Sequence, residues 1–199
     1  MENYLDVAVG PGAKRHQERR GSVEAYTEMA QEPAPAGLGP DEVAFLCARD
    51  SIYLASVGEQ GWPYVRHRGG EAGFIRVLDP THLAWAERSG NRQFVSAGNL
   101  DHDDRVSLIA VDYPHRQRMK LYGRARFNPS PTAEELATIG VAGRGEGIVT
   151  VEVVAFAWNC PKYITPRYTE TELRSVVEAL QQRIVELEHQ VGEQVARAT

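Results

Sequence analysis

The feature that most constrains the fold is a series of short β-type segments between residues 51 and 157, joined mainly by tight turns. Gly58–Gly61 and Asp79–Thr81 are typical hairpin turns. Arg118–Phe127 alternates between apolar and basic side chains, as a strand with one buried face does. The rhythm of strand, helix and parallel strand that builds a doubly wound sheet is missing. The pattern therefore predicts a small closed antiparallel barrel of about six or seven strands.

Capping residues, apolar residues at helical spacing and chain breakers predict helices before, between and after these strands in the sequence. The predicted helices are Ser22–Gln31, Pro40–Arg49, Asn91–Leu100, Pro131–Thr138 and Thr169–Val195. The fold class is thus mainly β with flanking helices. We expect an N-terminal extension with a short helix over residues 1–39, one barrel domain over 40–168 and a C-terminal helix over 169–199.

Composition narrows the possible partners. The net charge of −5 provides no global positive field, so nucleic acid is not expected as a partner. No run of about 18 apolar residues occurs, so no membrane partner is expected either. The first residues lack the order of charges that a secretory signal has. Cys47 and Cys160 are too few for a disulfide scaffold and are expected to be small buried residues, which suits a reducing cytoplasm.

A first candidate anion site lies on the predicted strand Pro63–Arg68. In a strand Arg66 and Arg68 share one face, while His67 points the other way. Two guanidinium groups beside Gly69-Gly70 suit phosphate oxygens, because the arginine fork matches their geometry. The alternative is a solvated strand face.

A second candidate is Ser89–Gln93, which is predicted to open a helix. Free N–H groups and the positive end of the helix dipole favour a phosphate there. Arg92 would add charge, and Gln93 a neutral hydrogen-bonding group. The alternative is an ordinary capped helix.

Other signals are weaker. The stripe of Arg118, Lys120, Arg124 and Arg126 faces either a cofactor across a dimer or solvent. His102 stands in an Asp-His-Asp-Asp run that is better explained as the end of a helix, so no metal site is expected. Gly143–Gly147 leads into a strand and is not a dinucleotide fingerprint.

Several motifs in order resemble those of the pyridoxamine 5'-phosphate oxidase-like flavoproteins, and of a bacterial subgroup with a G-x-P-Y-x-x-H-R-G-G core. The matching segments are Arg49–Gly70, Gly90–Gln93, Gly98–Leu100, Asp112–Pro114, Lys120–Arg126, Trp158–Pro161 and Ile164–Arg167. They cover roughly residues 40 to 168, and their order and spacing together carry the resemblance.

The resemblance implies a six-stranded antiparallel split β-barrel that forms a two-fold homodimer with FMN in the interface. It implies that basic residues hold the phosphate, that one strand approaches the isoalloxazine ring and that the C-terminal region closes the site. The implied cofactor-binding residues are Arg66, His67, Arg68, Gly69, Asn91, Arg92, Gln93, Arg118, Lys120, Trp158, Asn159 and Arg167. A cation near N1 of the flavin would stabilise its reduced form, and Arg118 and Lys120 are the candidates.

The chain also departs from the family's classical oxidase. Glu71 stands where an Arg-x-x-x-x-Lys phosphate motif would have lysine, the C-terminal substrate segment from Trp to Arg is not reproduced, and Tyr163 replaces a usual histidine. These departures count against pyridoxamine phosphate as the substrate. No catalytic residue is assigned.

Two functions remain open. One is an FMN-dependent oxidoreductase acting on an unidentified small molecule or electron donor. The other is a non-catalytic carrier or stress-related protein that binds flavin, F420 or haem, where His67 and His115 would be the possible iron ligands.

The last helix carries a heptad pattern. Val177, Ile184 and Val191 fall at a positions, and Leu173, Leu180 and Leu187 fall at d positions. This combination favours a parallel two-stranded coiled coil. The alternative is that the same stripe packs on a barrel.

Overall fold

The computed structural model describes residues 1–88, 91–141 and 147–198. Its strands form one antiparallel sheet in the order β2-β1-β5-β6-β7-β4-β3. The strands are β1 (Ser51–Val57), β2 (Pro63–Gly69), β3 (Arg76–Asp79), β4 (His82–Glu87), β5 (Arg105–Asp112), β6 (Gln117–Asn128) and β7 (Gly147–Asn159). The mainly β architecture is confirmed. The seven strands found in the described residues are one more than the six that the family resemblance implied.

The sheet curls on itself around a buried core. Leu54 on β1, Leu108 on β5 and Leu121 on β6 lie side by side in register and are almost fully buried. β2 at one edge approaches β4 near the other, where Nε of Arg68 lies 3.0 Å from Oε1 of Glu87. The strand order of the described residues includes no ladder between β2 and β4. The barrel is therefore split along this line, and side chains instead of backbone hydrogen bonds bridge the gap.

Seven helices of the described chain flank the sheet. They are α1 (Tyr4–Ala8), α2 (Pro11–Arg20), α3 (Val23–Gln31), α4 (Pro40–Cys47), α5 (Val95–His102), α6 (Ala133–Thr138) and α7 (Glu170–Ala198). α1 and α2 were not predicted: α1 has only five residues, and α2 is almost entirely polar, so neither shows an apolar periodicity. α5 begins at Val95 and not at the predicted Asn91.

The N-terminal extension packs on the outer face of the barrel. The backbone N–H of Glu2 donates to the carbonyl of Val154, at 2.8 Å. Tyr4 stacks on Tyr122 with 5.3 Å between ring centroids. Burial, with a smaller contribution from Tyr122, raises the pKa of Tyr4 to about 12. The first residues are thus anchored to β6 and β7.

The chain divides into two compact units, residues 1–112 with 117–161, and residues 113–116 with 162–199. In the second unit, the guanidinium of Arg167 lies 4.9 Å from the ring centroid of Tyr113. α7 begins with a capping box, in which Thr169 and Glu172 exchange side-chain to backbone hydrogen bonds. The domain boundaries that we placed at 39 and 168 stay predictions.

No helix in the described part of the chain is long and apolar enough to cross a membrane.

Candidate functional site

The face of β2 that carries Arg66 and Arg68 turns towards the barrel interior. These residues pair in register with the buried Leu54 and Ile52 of β1, and directly opposed residues point to the same face. Arg68 is buried, with 8% of its surface exposed. His67, between them, is exposed on the other face. The predicted division of these three side chains between the two faces is confirmed.

A cleft lies at the split of the barrel, where β2, the end of β4 and the start of α5 meet. Its polar lining consists of Arg66, Arg68, Arg88, Arg92, Glu87 and Ser96. Its apolar lining consists of Leu54, Phe94, Ala97, Leu100, Phe127 and Val149. Among the described residues that line it, four arginines stand against a single carboxylate, so these residues give the cleft a net positive charge. We name it the arginine cleft.

Arg68 has only partial compensation for its burial. Its Nε is 3.0 Å from Glu87, but the N–H does not point at the carboxylate oxygen, and this nitrogen has no hydrogen-bond partner in the described structure. We therefore treat the contact as an ion pair without a hydrogen bond. Burial lowers the pKa of Arg68, Glu87 opposes that effect, and Arg66 adds to the lowering. An anion held by Arg66 and Arg68 would relieve both the burial and the repulsion.

The start of α5 brings further donors to the arginine cleft. The hydroxyl of Ser96, in the first turn, is buried and has no hydrogen-bond partner among the described residues. The first N–H groups of a helix also have no partner within the helix. A buried polar atom without a partner costs free energy unless a ligand or water satisfies it. Ser96 is therefore the strongest single sign that something polar binds here.

The segment ahead of α5 has an unusual backbone. Arg92 and Phe94 have φ angles of 57° and 50°, in the left-handed region that non-glycine residues rarely adopt. The N–H of Gln93 donates to Oδ1 of Asn91 at 3.2 Å. Asn91, Arg92 and Gln93 thus form a turn before the helix and do not open it, which corrects the prediction. Ser89 and Gly90, the predicted entry to the helix, lie outside the described residues.

A buried hydrogen bond fixes α5 against the barrel. Nδ2 of Asn99 donates to Oγ of Ser56 on β1, at 2.9 Å, and both side chains are buried. This bond ties the last turn of α5 to the strand next to β2. It thereby holds the first turn of the helix in place beside the arginines.

The arginine cleft is small. The space inside it is about 40 Å³, which by this measure is room for roughly three water molecules. A phosphate group matches that size, whereas a three-ring flavin does not. An adjoining groove shares Arg66, Arg68, Glu87 and Arg88 with it and continues past Gly69 and Phe74. A β-carbon at Gly70 would lie 2.6 Å from Cβ of Phe74, so the chain approaches itself closely beside this groove.

Four of the predicted site residues lie on the outer face of the sheet instead. His67, Tyr53, Ile109 and Lys120 form a continuous row across β2, β1, β5 and β6. At the next position on the same face of β6, Arg118 is paired in register with Asn159 of β7. Nε of Arg118 and Oδ1 of Asn159 are buried and have no hydrogen-bond partner in the described structure. Within one chain Arg118, Lys120 and Asn159 are separated from the arginine cleft by the sheet itself, whereas His67, on the edge strand β2, also lines the adjoining groove.

The remaining two predicted residues lie elsewhere. Trp158 donates from Nε1 to Oε1 of Glu42 at 2.7 Å and packs edge-on against Phe45. Arg167 belongs to the second compact unit. The structure therefore brings together Arg66, Arg68 and Arg92 in the cleft, with Gly69 and His67 in the adjoining groove. Asn91 and Gln93 flank Arg92 without lining the cleft, and Arg118, Lys120, Trp158, Asn159 and Arg167 are not brought to it.

The described residues contain no cluster of three or more side chains that could hold a metal ion. The acidic residues that follow His102 are paired with arginines. Arg105 donates to Asp103 and holds its pKa well below the usual range, and Arg124 lies 2.7 Å from Asp104. The basic stripe is thus partly neutralised on this side.

Sequence reasoning missed Glu87, Arg88 and Ser96. Glu87 is the last residue of β4 and Arg88 follows it. They gave no motif, because the β2 residue that Glu87 contacts, Arg68, is distant in sequence. Ser96 was placed in the interior of a helix that in fact starts at Val95. A correct helix start would have placed its hydroxyl in the first turn, where a polar side chain can bind an anion.

Residues 39–152, which are 114 of the 199 residues, match the family model described as pyridoxamine 5'-phosphate oxidase. The chain belongs to the pyridoxamine 5'-phosphate oxidase family. No curated protein matches its sequence.

Solved structures with a similar arrangement include three distant ones. An FAD-binding protein from Mesorhizobium loti has 16% identity and a TM-score of 0.44, with 61% of this chain and 94% of that one covered. An F420 reductase has 18% identity and a TM-score of 0.42, with coverages of 62% and 98%. HupZ of Group A Streptococcus has 14% identity and a TM-score of 0.49, with coverages of 66% and 100%.

Proposed function

We propose that this protein binds FMN and acts as an FMN-dependent oxidoreductase on a small molecule. The observation that carries the proposal is the arginine cleft, which is lined by four arginines and by a buried hydroxyl at the start of a helix that has no hydrogen-bond partner among the described residues. Charged donors of this kind bind phosphate oxygens more strongly than neutral ones. Family membership supports a flavin as the carrier of that phosphate.

The residues of the cleft fit a phosphate monoester. Arg66 and Arg92 would provide forked donors from two sides, and Ser96 and the first N–H groups of α5 would provide donors from a third. Arg68 would contribute mainly its charge, since Glu87 already pairs with it. The apolar lining excludes water from the phosphate, which strengthens each of these contacts.

The proposed cofactor extends beyond the cleft, because the enclosed space accommodates the phosphate and not the ring system. We infer that a second copy of the chain supplies Arg118 and Lys120 to the ring from its own outer face. The exposed apolar side chains of Tyr53, Trp62 and Val65 on β1, β2 and their turn support an interface there, since a patch of this kind is unusual on a monomer. The proposed assembly is a homodimer.

When bound, FMN supplies reversible hydride or two-electron transfer. The chain's own contribution is to hold the phosphate in the arginine cleft and, through Arg118 or Lys120 of the second copy, to place positive charge near the ring. Such a charge favours the reduced, anionic form of the flavin.

Identification of the cofactor tests the proposal. Protein purified without added cofactor is denatured, and the released small molecules are identified by mass spectrometry. We expect FMN, and we expect its absorbance to bleach when a reduced nicotinamide cofactor is added to the native protein. Release of F420 or haem would contradict FMN. Release of FMN that neither NADH nor NADPH bleaches would favour a flavin carrier over an oxidoreductase that uses these donors.

Ser96→Ala provides a sharper test of the cleft. We expect FMN affinity to fall about 2- to 10-fold, because one hydrogen bond contributes about 0.5–1.5 kcal/mol. We expect the stability of the cofactor-free protein to stay unchanged or to increase, because the variant removes a buried hydroxyl that has no partner. Fluorescence titration with FMN and thermal unfolding of the apoprotein measure the two effects. A loss of apoprotein stability without any loss of FMN affinity would show that the hydroxyl has a structural role.

A further inference from the structure

We infer that α7 pairs with α7 of a second copy of this chain in a parallel two-stranded coiled coil. The inference concerns the second compact unit and does not depend on the cofactor. Its basis is that every described side chain of α7 is exposed, although the helix carries a continuous apolar stripe.

The stripe has the composition of a coiled-coil seam. Val177, Ile184 and Val191 at a positions are 46%, 55% and 57% exposed, and Leu173, Leu180 and Leu187 at d positions are 41%, 61% and 43% exposed. β-branched residues at a with leucine at d favour two parallel strands over trimers and tetramers. Large apolar side chains exposed to this extent at every seam position are unfavourable unless another surface covers them.

The ends of the stripe define its length. The next seam positions outwards are Glu170 on the N-terminal side and Gln194 on the C-terminal side, both polar. The seam therefore spans about three heptads, from Leu173 to Val191. Gly192 falls at an outward b position, where it does not interrupt the seam.

The charges beside the seam favour a second copy of α7 as the binding partner, in the parallel direction. In a parallel pair, the g residue of one helix faces the e residue of the next heptad on its partner. Here that pairing joins Arg183 to Glu188, once on each side of the seam. In the single chain Arg183 reaches Glu186 of its own helix, at 2.8 Å and fully on the surface. An antiparallel pair would place g against g and e against e, and would lose the attraction between Arg183 and Glu188.

Cysteine cross-linking of the full-length protein tests the pairing. In a background with Cys47 and Cys160 replaced by serine, Val177→Cys and Val191→Cys are oxidised mildly and run on a non-reducing gel. We expect both to give disulfide-linked dimers, because opposed a positions of a parallel pair come within disulfide reach, about 4.4–6.8 Å between Cα atoms. The matched control, Gln182→Cys at an outward f position, should stay monomeric on the gel.

The two seam variants, compared with each other, show whether the two helices are parallel or antiparallel. Positions 177 and 191 are 14 residues apart, about 21 Å along a helix. In an antiparallel pair, positions 177 and 191 cannot both lie opposite the same-numbered position of the second copy. The parallel direction would therefore be overturned if only one of the two variants cross-linked. It would also be overturned if a mixture of the two variants cross-linked but neither variant did so by itself. Cross-linking no better than that of Gln182→Cys would overturn the pairing.

A second variant tests the energetics. Ile184→Asp should lower the dimer affinity at least tenfold in analytical ultracentrifugation, whereas Ser175→Asp at an outward f position should change it little. Bound FMN is measured on the same samples. If the protein binds FMN but neither cross-links through the seam cysteines nor loses dimer affinity in Ile184→Asp, this inference is overturned and the proposed function is not. If the protein cross-links but contains no FMN, the proposed function is overturned and this inference is not.

Discussion

Arg66→Ala and Arg92→Ala are each expected to weaken FMN binding about 10- to 150-fold. This range corresponds to the loss of a charged hydrogen bond, about 1.5–3 kcal/mol. Both residues line the arginine cleft, and among the described residues neither has a carboxylate partner as close as Glu87 is to Arg68. Replacing either arginine should therefore weaken ligand binding more than it lowers the stability of the fold.

Riboflavin and a matched variant make this result specific. Riboflavin lacks the phosphate, so its affinity should change little in either variant. Arg126→Ala removes an exposed arginine from the outer face of β6 and should leave FMN affinity unchanged. Fluorescence quenching titrations give all of these dissociation constants. If Arg66→Ala and Arg92→Ala both bind FMN as the unaltered protein does, the phosphate does not lie in the arginine cleft.

Arg49→Met is expected to lower the free energy of unfolding by about 3–5 kcal/mol, because it removes one partner of the buried ion pair between Arg49 and Asp112. Nη2 of Arg49 lies 2.6 Å from Oδ2 of Asp112, and the two side chains are only 13% and 10% exposed. Arg49 also donates to the carbonyls of Phe45 and Val111, so it ties α4 to β5. Methionine retains much of the side chain's volume, which isolates the loss of the charge and its hydrogen bonds.

The control is an arginine–aspartate pair of similar length on the surface. Nη1 of Arg124 lies 2.7 Å from Oδ1 of Asp104, with the side chains 53% and 37% exposed. Arg124→Met should therefore cost no more than about 1 kcal/mol. Urea unfolding of both variants at neutral pH gives the comparison. Equal losses in the two variants would mean that burial does not set the strength of the Arg49–Asp112 pair.

Most strands and the fold class could be predicted because their signals are local. β1 was placed over Ser51–Val57 and was found there, since β-branched and aromatic residues between turn residues are a signal contained within a few positions. The faces of β2 and β6 followed from simple alternation. α5 was placed four residues early because the left-handed turn at Arg92 and Phe94 does not show in residue type, as both residues ordinarily avoid that conformation.

The candidate site was predicted in pieces. Arg66, Arg68 and Arg92 were identified from glycine-flanked and helix-flanking motifs, and all three line the arginine cleft. His67, Arg118, Lys120 and Asn159 were assigned to the same cofactor on the strength of a family resemblance. In one chain Arg118, Lys120 and Asn159 lie across the sheet from the arginine cleft, so their role in the site stays a prediction that requires a second copy. His67 lines the groove beside the cleft, and its role stays a prediction that does not require one.

The sequence by itself determined the antiparallel sheet, the face on which each side chain of β2 and β6 lies, and the heptad stripe of α7, because each of these depends on a period of two to seven residues. The tertiary structure decided which distant segments meet. Curling of the sheet brings Arg68 to Glu87 across the split, and the docking of α5 through Asn99 leaves the hydroxyl of Ser96 buried beside the arginines. Such contacts depend on how the whole sheet closes around its core, and no local pattern encodes that closure.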